Sequence, residues 1–177
     1  MTPTDDTQRQ RRYWQIGYSV ALLGLIIDQV HKLYMLRVVN IAFNQPIEVF
    51  SFLDLVLVWN RGISYGLFQQ QQDFGRYVLI AVAVVASVVL IIWIWRTQRL
   101  LIAVSAALVT AGAIGNGIDR FVYGAVADFF HFHVGSFSWY VFNIADVWIV
   151  AGVIGLLIDQ LFNPQQNSTS SPNPEQK

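Results

Sequence analysis

The chain of 177 residues has no cysteine and little charge. Without cysteine there can be no disulfide, no thiolate nucleophile and no metal centre built on thiolates. Charged residues make up 12% of the chain, about half the share usual in soluble domains. Eleven basic residues balance eleven acidic ones, so the formal net charge is zero. That balance gives no electrostatic basis for binding nucleic acid. What the chain does have is apolar: 55% of residues are hydrophobic, 14% are aromatic and the mean hydropathy is +0.47. The partners to expect are lipid and whatever lies in lipid.

A helix needs about 20 mostly apolar residues to cross roughly 30 Å of hydrocarbon. Four segments satisfy this: Trp14 to Leu36, Tyr77 to Trp95, Leu100 to Ile118 and Val141 to Phe162. The first follows Arg9, Arg11 and Arg12. It is too long for the apolar core of a signal peptide and is closed by no small-x-small cleavage site, so it reads as a retained span. Arg96 and Arg99 fill the tight turn between the second and third spans. Basic residues mark cytoplasmic loops, and these two clusters share a side after two crossings. The sequence therefore predicts an all-α membrane protein with four spans and both termini inside.

Residues 1–12 form a cytoplasmic tail in this reading, 13–162 one membrane domain and 163–177 a polar, disordered cytoplasmic end. Between the first two spans, residues 37–76 contain β-prone runs, Ile47 to Phe52 and Leu55 to Trp59, followed by Asn60-Arg61-Gly62 and a polar stretch Gln69 to Gln72. They predict a small sheet with turns on the outer surface. Residues 119–140, rich in Phe, Trp and Tyr, read as an aromatic loop resting on the interface.

This topology gathers the embedded polar residues in one layer near the outer leaflet. Asp28 and Lys32 end the first span, Asn116, Asp119 and Arg120 end the third, and Asn143 and Asp146 begin the fourth, with Asn60 and Asp128 in the outer segments. Ionisable groups at such depth are costly and mark function by default. Structural readings stand beside that one. Asp28 and Lys32 are spaced i,i+4 with the acid first, the favourable order for a helical ion pair. Asp119 opposes the macrodipole at a helix end, with Arg120 as its compensation. Asn116 and Asn143 suit hydrogen bonds between helices. Asp54, Asp73 and Asp159 read as solvated ends.

Asp128 and Asp146 resist a structural reading, since neither has a basic residue within four positions. Asp128 lies among Val126, Ala127, Phe129 and Phe130, where desolvation raises a carboxyl pKa. Two carboxylates brought together in such a place share a proton, so one can activate water while the other protonates a carbonyl. His131 and His133, alternate residues on an extended segment, could join Asp128 around a metal. No H-E-x-x-H accompanies them, and the site is read as metal-free and without cofactor. Ser64, Ser136 and Ser138 lie in no nucleophile elbow. A rival reading from another class is a small proton-coupled carrier, but a relay should cross the bilayer, and of the acids in the spans only Asp159 lies inward.

Five blocks in order resemble the lipoprotein signal peptidases, also called signal peptidase II. They are Asp28-Gln29-x-x-Lys32, Asn60-x-Gly62-x-x-Tyr65-Gly66, Gly115-Asn116-x-x-Asp119-Arg120, Val126-x-Asp128-Phe129 and Phe142-Asn143-x-Ala145-Asp146. The resemblance implies an aspartyl endopeptidase of the bacterial inner membrane, active near the outer face. It would remove the signal peptide of diacylglyceryl-modified prolipoproteins just before the lipidated cysteine. Asp128 and Asp146 would be the catalytic pair. Asn60, Gly62, Asn116, Arg120, Asn143 and Ala145 would line or support the pocket, and Asp28, Lys32 and Asp119 would hold its shape. The outer segment would form a β-cradle with a lid loop, the partners would be prolipoprotein and membrane lipid, and the enzyme would be monomeric. Two departures bear on specificity: Ile63-Ser64-Tyr65 stands where Ala-Ala-Phe is more usual, and Val147 where a small polar residue is common.

Overall fold

The computed structural model describes residues 3–62 and 72–162. Four helices in it are long and apolar enough to cross a membrane, within Gln10–Val38, Asp73–Arg96, Leu100–Tyr123 and Ile144–Phe162. The chain runs α1 (Pro3–Leu33), a π-helical turn (Tyr34–Val38), a short α2 (Ile41–Asn44), β1 (Ile47–Phe50), β2 (Leu53–Asn60), α3 (Gln72–Arg96), α4 (Leu100–Tyr123), β3 (Val126–Val134), β4 (Phe137–Phe142) and α5 (Ile144–Phe162).

Helix α4 is the hub, packing against α1, α3 and α5. Its sequence explains this. Ala103, Ser105, Ala106, Ala107, Thr110, Ala111, Gly112 and Gly115 are all buried, and small residues let helix backbones approach closely in lipid, where hydrophobic exclusion does not drive helices together. A side chain on Gly112 would collide with the backbone of Ala145, and one on Gly152 or Gly155 with Ser105. Large side chains instead project outward, with Val82, Val85 and Val89 on α3 and Leu157 and Leu161 on α5 well exposed. Such surface suits hydrocarbon and would be a liability in water.

The strands form one antiparallel sheet in the order β1-β2-β3-β4. Met35, Ile41, Ala127 and Phe129 make its buried core, joined by Leu36, Val39, Ile47, Leu55 and Leu57. The sheet is thus fastened to the π turn that ends α1. Residues 119–140 differ from the expected loop: α4 continues to Tyr123, stops at Gly124 in the left-handed conformation (φ 77°), and the chain then forms β3 and β4. The sequence concealed β3 because Val126, Ala127, Asp128 and Phe129 are all buried, so both faces are covered and the period-2 alternation of a half-exposed strand is missing. Likewise the fourth span starts at Ile144 rather than Val141, because Phe137–Phe142 belongs to β4. The second sequence block is described only to Gly62; its Ser64, Tyr65 and Gly66, the Ile63-Ser64-Tyr65 departure and Gln69 to Gln71 lie outside the described residues.

Candidate active site

The C-terminal parts of α1 and α4 together carry a buried ion triad. Lys32 Nζ lies 3.0 Å from Asp28 Oδ2 and 2.9 Å from Asp119 Oδ2, and it donates to Asn116 Oδ1 at 3.2 Å. All three charged side chains are essentially inaccessible. Buried charges persist only when paired and hydrogen-bonded, and here the remaining lone pairs are used as well. Asp28 Oδ1 accepts the Ala145 amide (3.0 Å), Asp119 Oδ2 accepts the Ala127 amide (3.2 Å), and Gln29 Nε2 donates to Asp28 Oδ2 (3.1 Å) and Asp119 Oδ1 (3.4 Å). The triad therefore fastens the first turn of α5 and the start of β3 to one lysine. Gly115 is glycine because any side chain there would strike the Asp28 carboxylate.

The structural and functional readings of these residues separate at this point. Asp28 and Lys32 do form an ion pair, and Asn116 and Asn143 do bridge elements. Asp119 is compensated by Lys32 and not by Arg120, because α4 runs on past Asp119 and its partner comes from α1. Arg120 donates to the Asn116 carbonyl (3.2 Å), and its Nε is buried with no hydrogen-bond partner among the described residues.

Asp146 is delivered by the N-terminus of α5. Asn143 is the N-cap and Asp146 the third helical residue. The Asp146 amide donates to Asn143 Oδ1 and the Asn143 amide to Asp146 Oδ2, both at 3.1 Å. This reciprocal pair is a capping box, and the Ala145 amide between them donates to Asp28. Asp128 comes from β3 and is fully buried. Asn143 Nδ2 donates to Asp128 Oδ1 (2.6 Å) and to Asn116 Oδ1 (3.2 Å), Asn116 Nδ2 to Asp146 Oδ1 (2.9 Å), and Asn60 Nδ2 to Asp128 Oδ2 (3.1 Å). Asn143 and Asn116 thereby hold both carboxylates in one network. Asn60 is itself positioned by the Gly62 amide, which donates to its Oδ1 (2.9 Å) where Gly62 adopts φ 87°, a conformation that favours glycine.

Burial pushes the Asp128 carboxyl up to about 6, with the nearby Asp146 charge adding to the rise and the Asn143 and Asn60 amides opposing it. Two carboxylates on a shared amide scaffold, one of them retaining its proton up to about pH 6, can act as a base and an acid toward the same bound molecule.

Other acids fall differently from expectation. Asp159, read as solvated, is buried, with Oδ1 2.6 Å from Arg99 at the opposite end of the bundle. Asp54, also read as solvated, faces His131 and His133. Asp128 does not join those histidines, since residues an odd number of positions apart on a strand point to opposite faces. Asp73 is exposed, as expected, beside Arg76 at 3.4 Å. Gln29 and Gly115, which knit the triad, were quoted within the sequence blocks but given no role. Gln29 lies one residue from Asp28, a position from which a helix cannot present both side chains to the same neighbour without tertiary contacts to direct them.

Four apolar helices around a buried layer of carboxylates and amides define a multi-pass membrane protein, and its fold is that of a membrane enzyme. A solved bacterial membrane enzyme superimposes with a TM-score of 0.72 at 25% identity, covering 90% of this chain and 94% of that one. Residues 20–162 match the family model described as signal peptidase (SPase) II. A lipoprotein signal peptidase of Methylocella silvestris is 49% identical over 87% of this chain and 90% of its own length. One from Methylorubrum extorquens is 50% identical over 82% and 85%. The chain belongs to the signal peptidase II family and is, with it, a peptidase.

Proposed function

We propose that this protein is an aspartyl endopeptidase that removes the signal peptide from diacylglyceryl-modified prolipoproteins, cutting just before the lipidated cysteine. The observation that carries the reading is the Asn116 and Asn143 scaffold, which joins the Asp128 and Asp146 carboxylates from two different elements at one end of the bundle. In this reading Asp146 takes a proton from water as it attacks the scissile carbonyl. Asp128, which keeps its proton up to about pH 6, protonates the carbonyl oxygen; when the tetrahedral intermediate collapses, Asp146 gives the proton it took from water to the leaving amine, and the hydroxyl formed from the carbonyl oxygen returns one to Asp128. No metal or covalent intermediate enters these steps.

A signal peptide is a membrane helix, and its backbone must open before water reaches the amide. Unpaired backbone groups are expensive in hydrocarbon. A polar layer of amides, together with Arg120 Nε, which has no partner among the described residues, offers substitutes for the lost helical bonds while the acyl chains stay in the leaflet. Basic Arg96 and Arg99 at the far end favour N- and C-termini inside, so that the aspartates lie near the outer face of the inner membrane. The protein works as a monomer in this reading. A carrier is disfavoured because Asp159, the inward acid a relay would use, is neutralised by Arg99.

The test is cleavage of a diacylglyceryl prolipoprotein by purified wild type, Asp128→Asn and Asp146→Asn in detergent. Both variants are expected to fold and bind substrate while losing at least about a thousandfold in kcat, in line with loss of acid–base groups that act as a unit. Substantial cleavage by either variant sinks the assignment.

A further inference from the structure

The outer face of the sheet carries a second constellation, apart from the aspartate pair. His131 and His133 are alternate residues of β3 and so share a face, their ring centroids 5.3 Å apart. Asp54 on β2 is the direct cross-strand partner of His131, and Glu48 on β1 stands opposite Asp54 in the same row. One ligand atom from each of Asp54, His131 and His133 lies within 4.8 Å of the others. His133 Nε2 is 3.0 Å and His131 Nδ1 4.0 Å from Asp54 Oδ2. Ligand atoms around a tetrahedral zinc with bonds of about 2.0 to 2.1 Å are roughly 3.3 Å apart, and the two distances bracket that value.

Hydrogen bonding argues against a simple pair. Ser138 Oγ lies 2.7 Å from His131 Nε2 and donates to the Trp139 carbonyl at 3.5 Å. In the tautomer in which the hydroxyl accepts from His131 Nε2–H, Nδ1 carries a lone pair turned toward the Asp54 carboxylate. Those two acceptors can then share a cation. His133 Nε2 is buried and, despite its distance to Asp54, makes no aligned hydrogen bond among the described residues. A hydrogen bond on the far nitrogen of a ligating histidine is the usual means of fixing its tautomer and orientation, and Ser138 provides it.

We propose that Asp54, His131 and His133 form a binding site for Zn²⁺ on the outer face of the sheet, with Ser138 orienting His131 and a position left for water. The two-imidazole, one-carboxylate set suits zinc over magnesium or calcium, which prefer all-oxygen shells. The side chains are about a quarter exposed, so the ion can enter from solution. The site links β2 to β3 three residues from Asp128 and takes no part in the cleavage chemistry.

The experiment uses full-length protein purified in detergent with a histidine-free tag, stripped with chelator and titrated with Zn²⁺ by calorimetry. One saturable equivalent is expected in the wild type. Affinity should fall at least a hundredfold in the His131→Ala/His133→Ala double variant and about tenfold in Ser138→Ala, the range seen for residues that orient ligands. X-ray absorption of the zinc-loaded wild type should show two imidazole ligands whatever the variants' folding. Absence of saturable binding, binding that survives the double substitution, or an all-oxygen coordination shell would each overturn the proposal.

Discussion

Lys32 shows most directly how one residue can organise this chain. It sits between Asp28 and Asp119 at 3.0 and 2.9 Å with no access to solvent or lipid. Removing one member of a buried ion network leaves uncompensated charge, which costs about 3 to 5 kcal/mol. Lys32→Met is therefore expected to lower stability in detergent by that amount, measured by thermal or denaturant unfolding. It should lower activity as well, because Asp28 and Asp119 then lose their grip on Ala145 and Ala127, the residues next to Asp146 and Asp128. A change below about 1 kcal/mol would show that the triad is not a structural keystone. The i,i+4 spacing of Asp28 and Lys32 made half of this legible. Asp119, some ninety positions away, could not be assigned to the same lysine from spacing alone.

At the scale of the element, the N-terminus of α5 does two things with one motif. Asn143 and Asp146 close a capping box and also place Asp146 beside Asp128. The two roles can be separated. Asn143→Ser keeps a good cap, so α5 should still start at the same residue, but serine is too short to replace the amide that donates to Asp128, and the unpaired buried acceptors should cost about 1 to 3 kcal/mol. That hydrogen bond lowers the Asp128 pKa, so its loss raises it. In the proposed mechanism Asp128 must hold a proton, so kcat/KM of the wild type should fall as pH rises through about 6. The same limb should move to higher pH in Asn143→Ser, alongside a lower maximum. A limb that stays in place would mean that another group sets it.

β3 is the element the sequence hid. Its first four residues are buried on both faces and its partners β2 and β4 come from either side of it in the chain, with α3 and α4 intervening before β2 is reached. Local alternation could not reveal it, and with it went the company kept by His131, His133 and Asp54.

For the whole molecule, the polar layer occupies one end of the bundle and the Arg99–Asp159 pair the other. The orientation inferred from Arg9, Arg11, Arg12, Arg96 and Arg99 can be measured simply, because the chain has no native cysteine. Single cysteines at Ser136, in the exposed β3–β4 turn, and at Gln98, exposed between α3 and α4, give opposite expectations. In intact cells with a permeable outer membrane, an impermeant thiol reagent should label Ser136→Cys and leave Gln98→Cys unlabelled until the inner membrane is opened. The reverse pattern would invert the topology and move the aspartates to the cytoplasmic side.

The sequence by itself determined the four spans, because hydropathy over about 20 residues is a local sum. It also determined the family, because the five blocks lie within short windows and recur in order. Tertiary structure alone decided which charges meet. The strand register paired Asp54 with His131, close packing of small residues on α4 and α5 set Ala145 against Asp28, and the turn between α3 and α4 carried Arg99 to Asp159. A carboxylate's partner depends on geometry between segments far apart in the chain, and no local sum contains that.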